Sequence, residues 1–291
     1  MITDQLLTSL LQGKILETLK YTISLIEKHN LHYIACGGTV LGAIRHKNFI
    51  PWDDDVDIYM PRKDYNELLS LRNSVKHDGY DIISLADDGY YCPFAKLIDT
   101  NTTIWEMGCF SFPIGVFVDI FPLDEFHEDD DAITTIQIRS RSLFNTYMGA
   151  LRHYSIKDFI TNIKYPGLII PYLKTHISFR SYKDYLSDFL SFEKTYTGFK
   201  GGKCVCVTQH CGKIFKTEWF RETTNWPFAD ISIKVPKDYD TYLTLLYGDY
   251  KILPPKNKQT TSHCQKYINL KEGLTIPEIL ERIKLGEKIV Y

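Results

Sequence analysis

Asp55-Val56-Asp57 sets two carboxylates two positions apart in a stretch that reads as a β-strand. Alternate side chains on a strand share a face, so both acids project to one side, about 7 Å apart along the backbone and able to converge. Asp53, Asp54, Asp55 and Asp57 together crowd four acids into five positions, an arrangement that repels itself without a counterion. Hard divalent cations such as Mg²⁺ take oxygen ligands, often one or two carboxylates plus the phosphates of a substrate. Metal-assisted chemistry at a phosphoryl group is therefore the first expectation. A run of Asp more commonly forms an exposed turn, but Val56, Ile58, Tyr59 and Met60 favour a half-buried strand here.

A third acid, Asp119, lies inside the apolar run Val116-Phe117-Val118-Asp119-Ile120-Phe121, where an unpaired carboxylate is costly. A metal explains it, and so does hydrogen bonding to an Arg or to backbone donors. Three carboxylates from two strands can hold one or two Mg²⁺ ions, which neutralise phosphate oxygens and lower the pKa of an attacking hydroxyl. Gly37-Gly38 reads as a turn between a strand and a helix, with Thr39 at the helix start. Such a turn lets the backbone and the helix N-terminus approach a phosphate closely. It is not a Walker loop, because no Gly-Lys-Ser/Thr follows.

The elements that must position these residues follow from periodicity. Leu6, Leu7, Leu10, Leu11, Ile15, Leu19, Ile23 and Ile26 recur mostly at steps of three or four and predict a helix over about 4–28. A short strand at 32–36, a helix from 40 to 45 and a strand at 55–60 ended by Pro61 come next, then a helix with Asp64 as its cap. Further strands are expected at 80–85, at 94–98 and at 115–121, the last closed by Pro122. From 132 to about 197 the chain reads as helices broken at Pro166 and Pro171. A strand at 228–236 and a helix at 239–247 complete the pattern, which is that of an α/β (α+β) protein: a mixed sheet core, flanking helices and a helical insertion. The expected division is 1–130 as catalytic core with its N-terminal helix, 131–200 as insertion and 201–291 as a part completing the core.

Composition narrows the classes. The 291 residues suffice for one large domain or two small ones, and 44% hydrophobic with 24% charged residues is ordinary for a globular protein. A net charge of −2 gives no case for nucleic-acid binding. No basic leader precedes the N-terminal helix, and the most apolar run, 167–172, is too short to span a bilayer, so a cytoplasmic location is the expectation. Seven scattered cysteines suit reduced thiols better than a disulfide framework. Cys204, Cys206 and Cys211 with His210 form a cluster able to bind zinc, but no second Cys-x-x-Cys pair accompanies it, and buried thiols are expected instead.

Long motifs carry a resemblance. The run 37–46 followed by 49–58 is similar to the LicD family of phosphotransferases, with a nucleotidyltransferase-like fold. So are the runs 93–99 and 118–124, and Tyr247-Gly248-Asp249-Tyr250 with Pro254-Pro255 and His263. The resemblance spans nearly the whole chain and is weakest in the helical middle, 132–197. It implies transfer of phosphocholine from CDP-choline to a sugar hydroxyl of a surface polysaccharide or teichoic-acid precursor, with release of CMP. Fukutin-like relatives imply the alternative of another CDP-linked alcohol: ribitol, glycerol or ethanolamine. By motif, Asp55 and Asp57 carry over as Mg²⁺ (or Mn²⁺) ligands, Asp119 as a shared ligand or base, and Asp53 as an indirect ligand.

Arg45, His46 and Lys96 are the candidate cations for the diphosphate, with His263 in a loop that closes over the nucleotide. Trp52 and Trp105 can stack on a base or choline, although large aromatics more often serve packing. Two other readings stand beside this one: a nucleotidyltransferase that moves a nucleoside monophosphate, and a binding module at a membrane surface. The second rests on 138–184, which holds eight Lys/Arg against two acids amid many aromatics and suits anionic lipid at the inner membrane face. The same property fits a transferase with a lipid-linked glycan acceptor.

Overall fold

The structure is a computed structural model that describes residues 4–198, 200–208, 213–261 and 265–291. The first helix, α1 (Asp4–Lys28), forms as its periodicity predicts. Leu11, Ile15, Leu19 and Ile26 are buried, and this stripe packs across the central strands of a sheet, while Leu6 and Leu10 stay exposed.

Next come β1 (Ile34–Ala35), α2 (Gly37–His46), β2 (Asp57–Pro61), α3 (Arg62–Ser70) and α4 (Arg72–Val75). Then β3 (Tyr80–Ile83), β4 (Ala95–Trp105) and β5 (Ile114–Phe126) build the sheet. Four helices follow: α5 (Asp130–Leu151), α6 (Ile156–Asn162), α7 (Pro166–His176) and α8 (Tyr182–Glu193). The chain returns through β6 (Lys203–Val205), β7 (Phe215–Lys216), α9 (Glu218–Arg221), β8 (Thr223–Phe228) and β9 (Ile231–Pro236). It ends with α10 (Tyr239–Tyr247), β10 (Tyr267–Asn269), α11 (Ile276–Lys284) and β11 (Ile289–Val290).

The architecture is mixed α/β. Among the described residues one nine-stranded sheet runs β1-β2-β5-β4-β10-β11, with β3 on β4, β6 on β5 and β7 on β6. The pairs β2–β5 and β10–β11 are parallel and the other pairs in this sheet antiparallel. Strands β4 and β5 are buried over most of their length, as expected of central strands covered on both faces.

Several sequence expectations need correction. Asp55 is not on a strand: β2 begins at Asp57, and residues 53–56 are an irregular lead-in. Pro122 does not close β5, which runs on to Phe126. Pairing with β4 stops at Ile120, so the missing N–H of Pro122 removes no bond to that neighbour. Asp64 does not cap α3, whose N-cap is Pro61; its carboxylate instead accepts from the His32 N–H at 2.9 Å. Pro166 starts α7, but Pro171 lies inside that helix without ending it and packs against Gly149 of α5. The strand expected at 228–236 is the second arm of the β8–β9 hairpin, which turns at Ala229-Asp230. No Asn-Gly or Asp-Gly pair announces that turn. Ala229 adopts φ of +52°, and its N–H is anchored on the Lys47 carbonyl at 2.8 Å.

Candidate active site

Register builds the site. Asp57 opens β2 and pairs with Asp119 of β5, and Asp119 pairs in turn with Lys96 of β4. Three side chains from three adjacent strands thus form one row across the sheet. Asp55, one residue before Val56, whose carbonyl accepts the Asp119 N–H, reaches the same place from the lead-in loop. Carboxylate oxygens of Asp55, Asp57 and Asp119 lie within 4.8 Å of one another, as do those of Asp53, Asp54 and Asp55.

The electrostatics of this row are strained. Burial pushes the Asp57 carboxyl well above the ordinary range, Asp55, Asp119 and Asp53 add to the shift, and Lys96 offsets part of it. Burial also pushes Asp119 up, to about 6, against the pull of Lys96. Lys96 is itself buried, with its Nζ 2.6 Å from Asp119 Oδ1 and 3.4 Å from the centre of the Phe117 ring. Burial alone would lower its pKa, but Asp119 and Glu106 hold it raised and the ammonium charged. Lys96 is therefore committed to Asp119.

The glycines sit against the acids. A Cβ at Gly38 would lie 2.8 Å from Asp53 Oδ2, and one at Gly37 would lie 3.5 Å from Asp57 Oδ2. The two residues are the first turn of α2, whereas the sequence suggested a turn before it, and Gly37 takes φ of +52°, a conformation glycine adopts without strain. The Gly37 N–H donates to Tyr242 Oη at 2.9 Å, and Thr39 Oγ1 accepts the Asp57 N–H at 2.8 Å. These groups hold the acidic row to α2. Tyr242 of α10 gave no sequence signal of this, and Tyr247 entered only within the motif 247–250; desolvation of its hydroxyl and the proximity of Asp57 raise the Tyr247 phenol pKa, although much of the ring is exposed.

The acidic loop is tied on both sides. Gln12 of α1 donates its Nε2 to the carbonyls of Ile50 at 3.2 Å and Asp53 at 2.8 Å. Asp54 is buried and accepts from Thr261 and from Gln265 Nε2, the latter at 3.0 Å. Asp54, which the sequence left without a role, thus joins the acidic loop to the C-terminal part of the chain.

Arg45 and His46 are not gathered into the acidic row. They lie at the other end of α2, about 12 Å along the helix from Gly37. Arg45 Nε donates to His46 Nε2 at 2.9 Å, and Nη1 donates to the Tyr250 carbonyl at 2.9 Å. Burial, with Arg45 adding to it, lowers the His46 pKa, in keeping with a neutral ring that accepts. Trp105 is buried in packing, its Nε1 donating to the Phe110 carbonyl, and Trp52 is half-buried with its ring 6.4 Å from that of His46. His263 lies outside the described residues, as do His210 and Cys211; Cys204 and Cys206 are buried thiols. A cavity of about 790 Å³ opens at the far end of β2 between Tyr33, Tyr59, Arg62 and Phe220, and none of Asp55, Asp57 and Asp119 lines it.

Comparison with known proteins finds similarity that includes the segment carrying this geometry. The family described as "LicD/FKTN/FKRP, nucleotidyltransferase domain" matches residues 30–148, which span α2, the acidic loop, β2, β4 and β5. The lipopolysaccharide cholinephosphotransferase LicD of Haemophilus influenzae is 27% identical over 284 residues, covering 86% of this chain and 94% of that protein. The ribitol 5-phosphate transferase FKRP of Homo sapiens is 38% identical over 58 residues, 20% of this chain and 12% of FKRP. The row of acids thus lies within the segment, residues 30–148, that matches the LicD/FKTN/FKRP nucleotidyltransferase domain, and most of the chain is similar to a LicD protein.

Proposed function

We propose that this protein is a phosphotransferase that moves a phospho-alcohol from a CDP-linked donor, phosphocholine from CDP-choline foremost, to a sugar hydroxyl of a surface glycan. The phosphoanhydride bond of the donor breaks, an ester bond to the acceptor oxygen forms, CMP leaves, and the acceptor proton passes to a base. The observation that carries this reading is similarity over most of both chains to a protein named as a cholinephosphotransferase, joined to a row of acids in the matching segment. The short FKRP match supports ribitol phosphate as the second choice of cargo.

Asp55, Asp57 and Asp119 fit a hard divalent cation: the Asp55 charge raises the pKa of both Asp57 and Asp119, which marks a donor set short of positive charge. Bound there, Mg²⁺ or Mn²⁺ would neutralise phosphate oxygens as the donor bond breaks. Asp53 supports the set from beside Gly38. Asp119, with a pKa raised to about 6 and a hydrogen bond from Lys96, is suited to take the acceptor proton near neutral pH. Lys96 then acts by holding the Asp119 carboxylate in place. Arg45 and His46 are assigned to the distal part of the donor, and Gly37, Gly38 and Thr39 to keeping α2 against the acidic row. The acceptor we favour is a lipid-linked glycan.

The test is incubation with Mg²⁺ and separate CDP-choline, CDP-ribitol, CDP-glycerol and CDP-ethanolamine, reading CMP. Release of CMP, fastest from CDP-choline and lost in Asp57→Asn, supports the proposal. No CMP from any of the four, with pyrophosphate formed from a nucleoside triphosphate instead, would make the protein a nucleotidyltransferase in activity as well as in fold.

A further inference from the structure

Helices α6 and α7 turn apolar side chains outward. Eight of the twenty large apolar side chains exposed among the described residues fall within 156–179. Ile156, Ile160 and Ile163 follow one face of α6 into the turn after it, and Ile170, Leu173 and Ile177 follow one face of α7. Exposure reaches 82% at Ile156 and 81% at Ile177, and Phe179 beyond α7 is fully exposed. The opposite sides of the two helices are satisfied: Ile169 and Thr175 are buried, Phe159 packs on Tyr172, and Pro171 meets Gly149 of α5. A patch of this kind on a folded chain marks a surface that something covers.

Charge decides what covers it. Residues 152–180 hold five Lys/Arg against a single acid, Asp158, although the whole chain carries −2. Asp158 is engaged by Ser155 at the start of α6. Lys164 and Lys174 are exposed and make no ion pair among the described residues. Apolar side chains projecting singly from convex helices, rimmed by lysines, match the headgroup and acyl boundary of an anionic bilayer better than a protein groove. No helix among the described residues is long and apolar enough to cross a membrane, so the contact is one of surface seating.

We infer that α6 and α7 form a wedge that seats this protein on an anionic lipid bilayer, with the isoleucines in the acyl boundary and Lys164 and Lys174 on the headgroups. This narrows the segment 138–184, which the sequence offered for such contact, to its middle. Arg139 stacks on Phe192 and Arg152 on Phe110, so both are spent on the protein's own aromatics. The wedge is tied, through α5 and His153 just after it, to the segments on either side of β4. Tyr147 of α5 donates to the Tyr90 carbonyl, and the His153 N–H donates to the Cys109 carbonyl at 2.9 Å. Residues 90–92 lead into β4, where Lys96 meets Asp119. Seating stands apart from the transferase reading, because it is read by binding and not by turnover.

The experiment is co-sedimentation of the full chain with phosphatidylcholine vesicles, with and without phosphatidylglycerol. Wild type should partition roughly tenfold or more in favour of the anionic vesicles, since each seated lysine contributes about 1 kcal/mol. Ile156→Ser with Ile160→Ser and Ile177→Ser should lose at least about tenfold of that binding, whereas Ile252→Ser, at an exposed site elsewhere, should lose none. Lys164→Glu with Lys174→Glu should abolish the preference for phosphatidylglycerol. Tryptophan emission of Ile160→Trp should shift to the blue on anionic vesicles, a readout that survives if the triple variant misfolds. Equal binding to both vesicles, an unshifted Ile160→Trp, or a wild-type dimer that the triple variant splits without any vesicle binding would overturn the inference; the last would make a second copy the occupant.

Discussion

Asp57 and Asp119 stand opposite each other in the parallel pairing of β2 with β5, so a half-buried and a buried carboxylate face one another across a single strand spacing. Both are held above their ordinary pKa, which means that the folded state binds protons more tightly than the unfolded chain. The sign follows. The pair costs stability above about pH 6, and the cost is relieved as pH falls through the folded pKa toward the ordinary carboxylate value. Asp57→Asn should therefore raise the Tm of the metal-free protein at pH 8, by roughly 2–4 °C if about 1 kcal/mol is recovered, while removing turnover. The gain should shrink toward pH 5. A lower Tm at both pH values would show that the pair stabilises the fold.

Metal should act on the same balance with the opposite sign. Adding Mg²⁺ in excess should raise the wild-type Tm, by an increment that grows with the logarithm of its concentration. Asp55→Asn and Asp57→Asn should flatten that response and lower the rate by roughly 3–6 kcal/mol of barrier. Full transfer by metal-free protein in excess EDTA would end the metal reading.

Lys96→Met removes the ammonium and leaves Asp119 in the interior. The expected loss is about 3–5 kcal/mol, because the cost is that of an uncompensated buried charge. Combining it with Asp119→Asn should return much of the loss, and a double-mutant cycle by chemical denaturation measures the coupling. Additive losses would mean that the 2.6 Å contact contributes little.

Gly38→Ala would bring a Cβ to within 2.8 Å of Asp53 Oδ2, a contact that forces the loop to give way. The protein should still fold, since the neighbour is a side-chain tip, but CMP release should fall by roughly tenfold or more, consistent with a small displacement at the reacting centre. Gly42→Ala should be worse for folding, because its Cβ would meet the Asn48 carbonyl at 2.6 Å. Matched thermal melts and rates for the two variants separate the effects.

The convergence of Asp55, Asp57 and Asp119 was legible because charges inside apolar runs are costly and need an explanation. Helix α1 was legible because its apolar stripe runs through six turns. What stayed hidden depends on partners far along the chain. Pro122 looked like a strand end because its tolerance depends on where β4 stops pairing. β10 and β11 are too short to show a period, and they exist through pairing with β4 and with each other. The glycines were read as a cradle for phosphate, yet in the fold it is the Asp53 and Asp57 carboxylates that lie against them. No local pattern encodes that approach, nor the link from Asp54 to Gln265, 211 positions away.

That link, with Gln12 on the carbonyls of Ile50 and Asp53, gives the acidic loop two fixed anchors. A loop so braced has little freedom to spread, and little freedom to spread is a test of ionic radius. Mg²⁺ demands near-ideal octahedral geometry, whereas Ca²⁺ accepts more ligands at longer and more variable distances. Stiffness in the backbone of residues 50–54 would thus translate into discrimination between two ions of equal charge. Loosening an anchor far from the carboxylates, at Gln12 in the first helix, would be felt as a change in which cation the protein prefers.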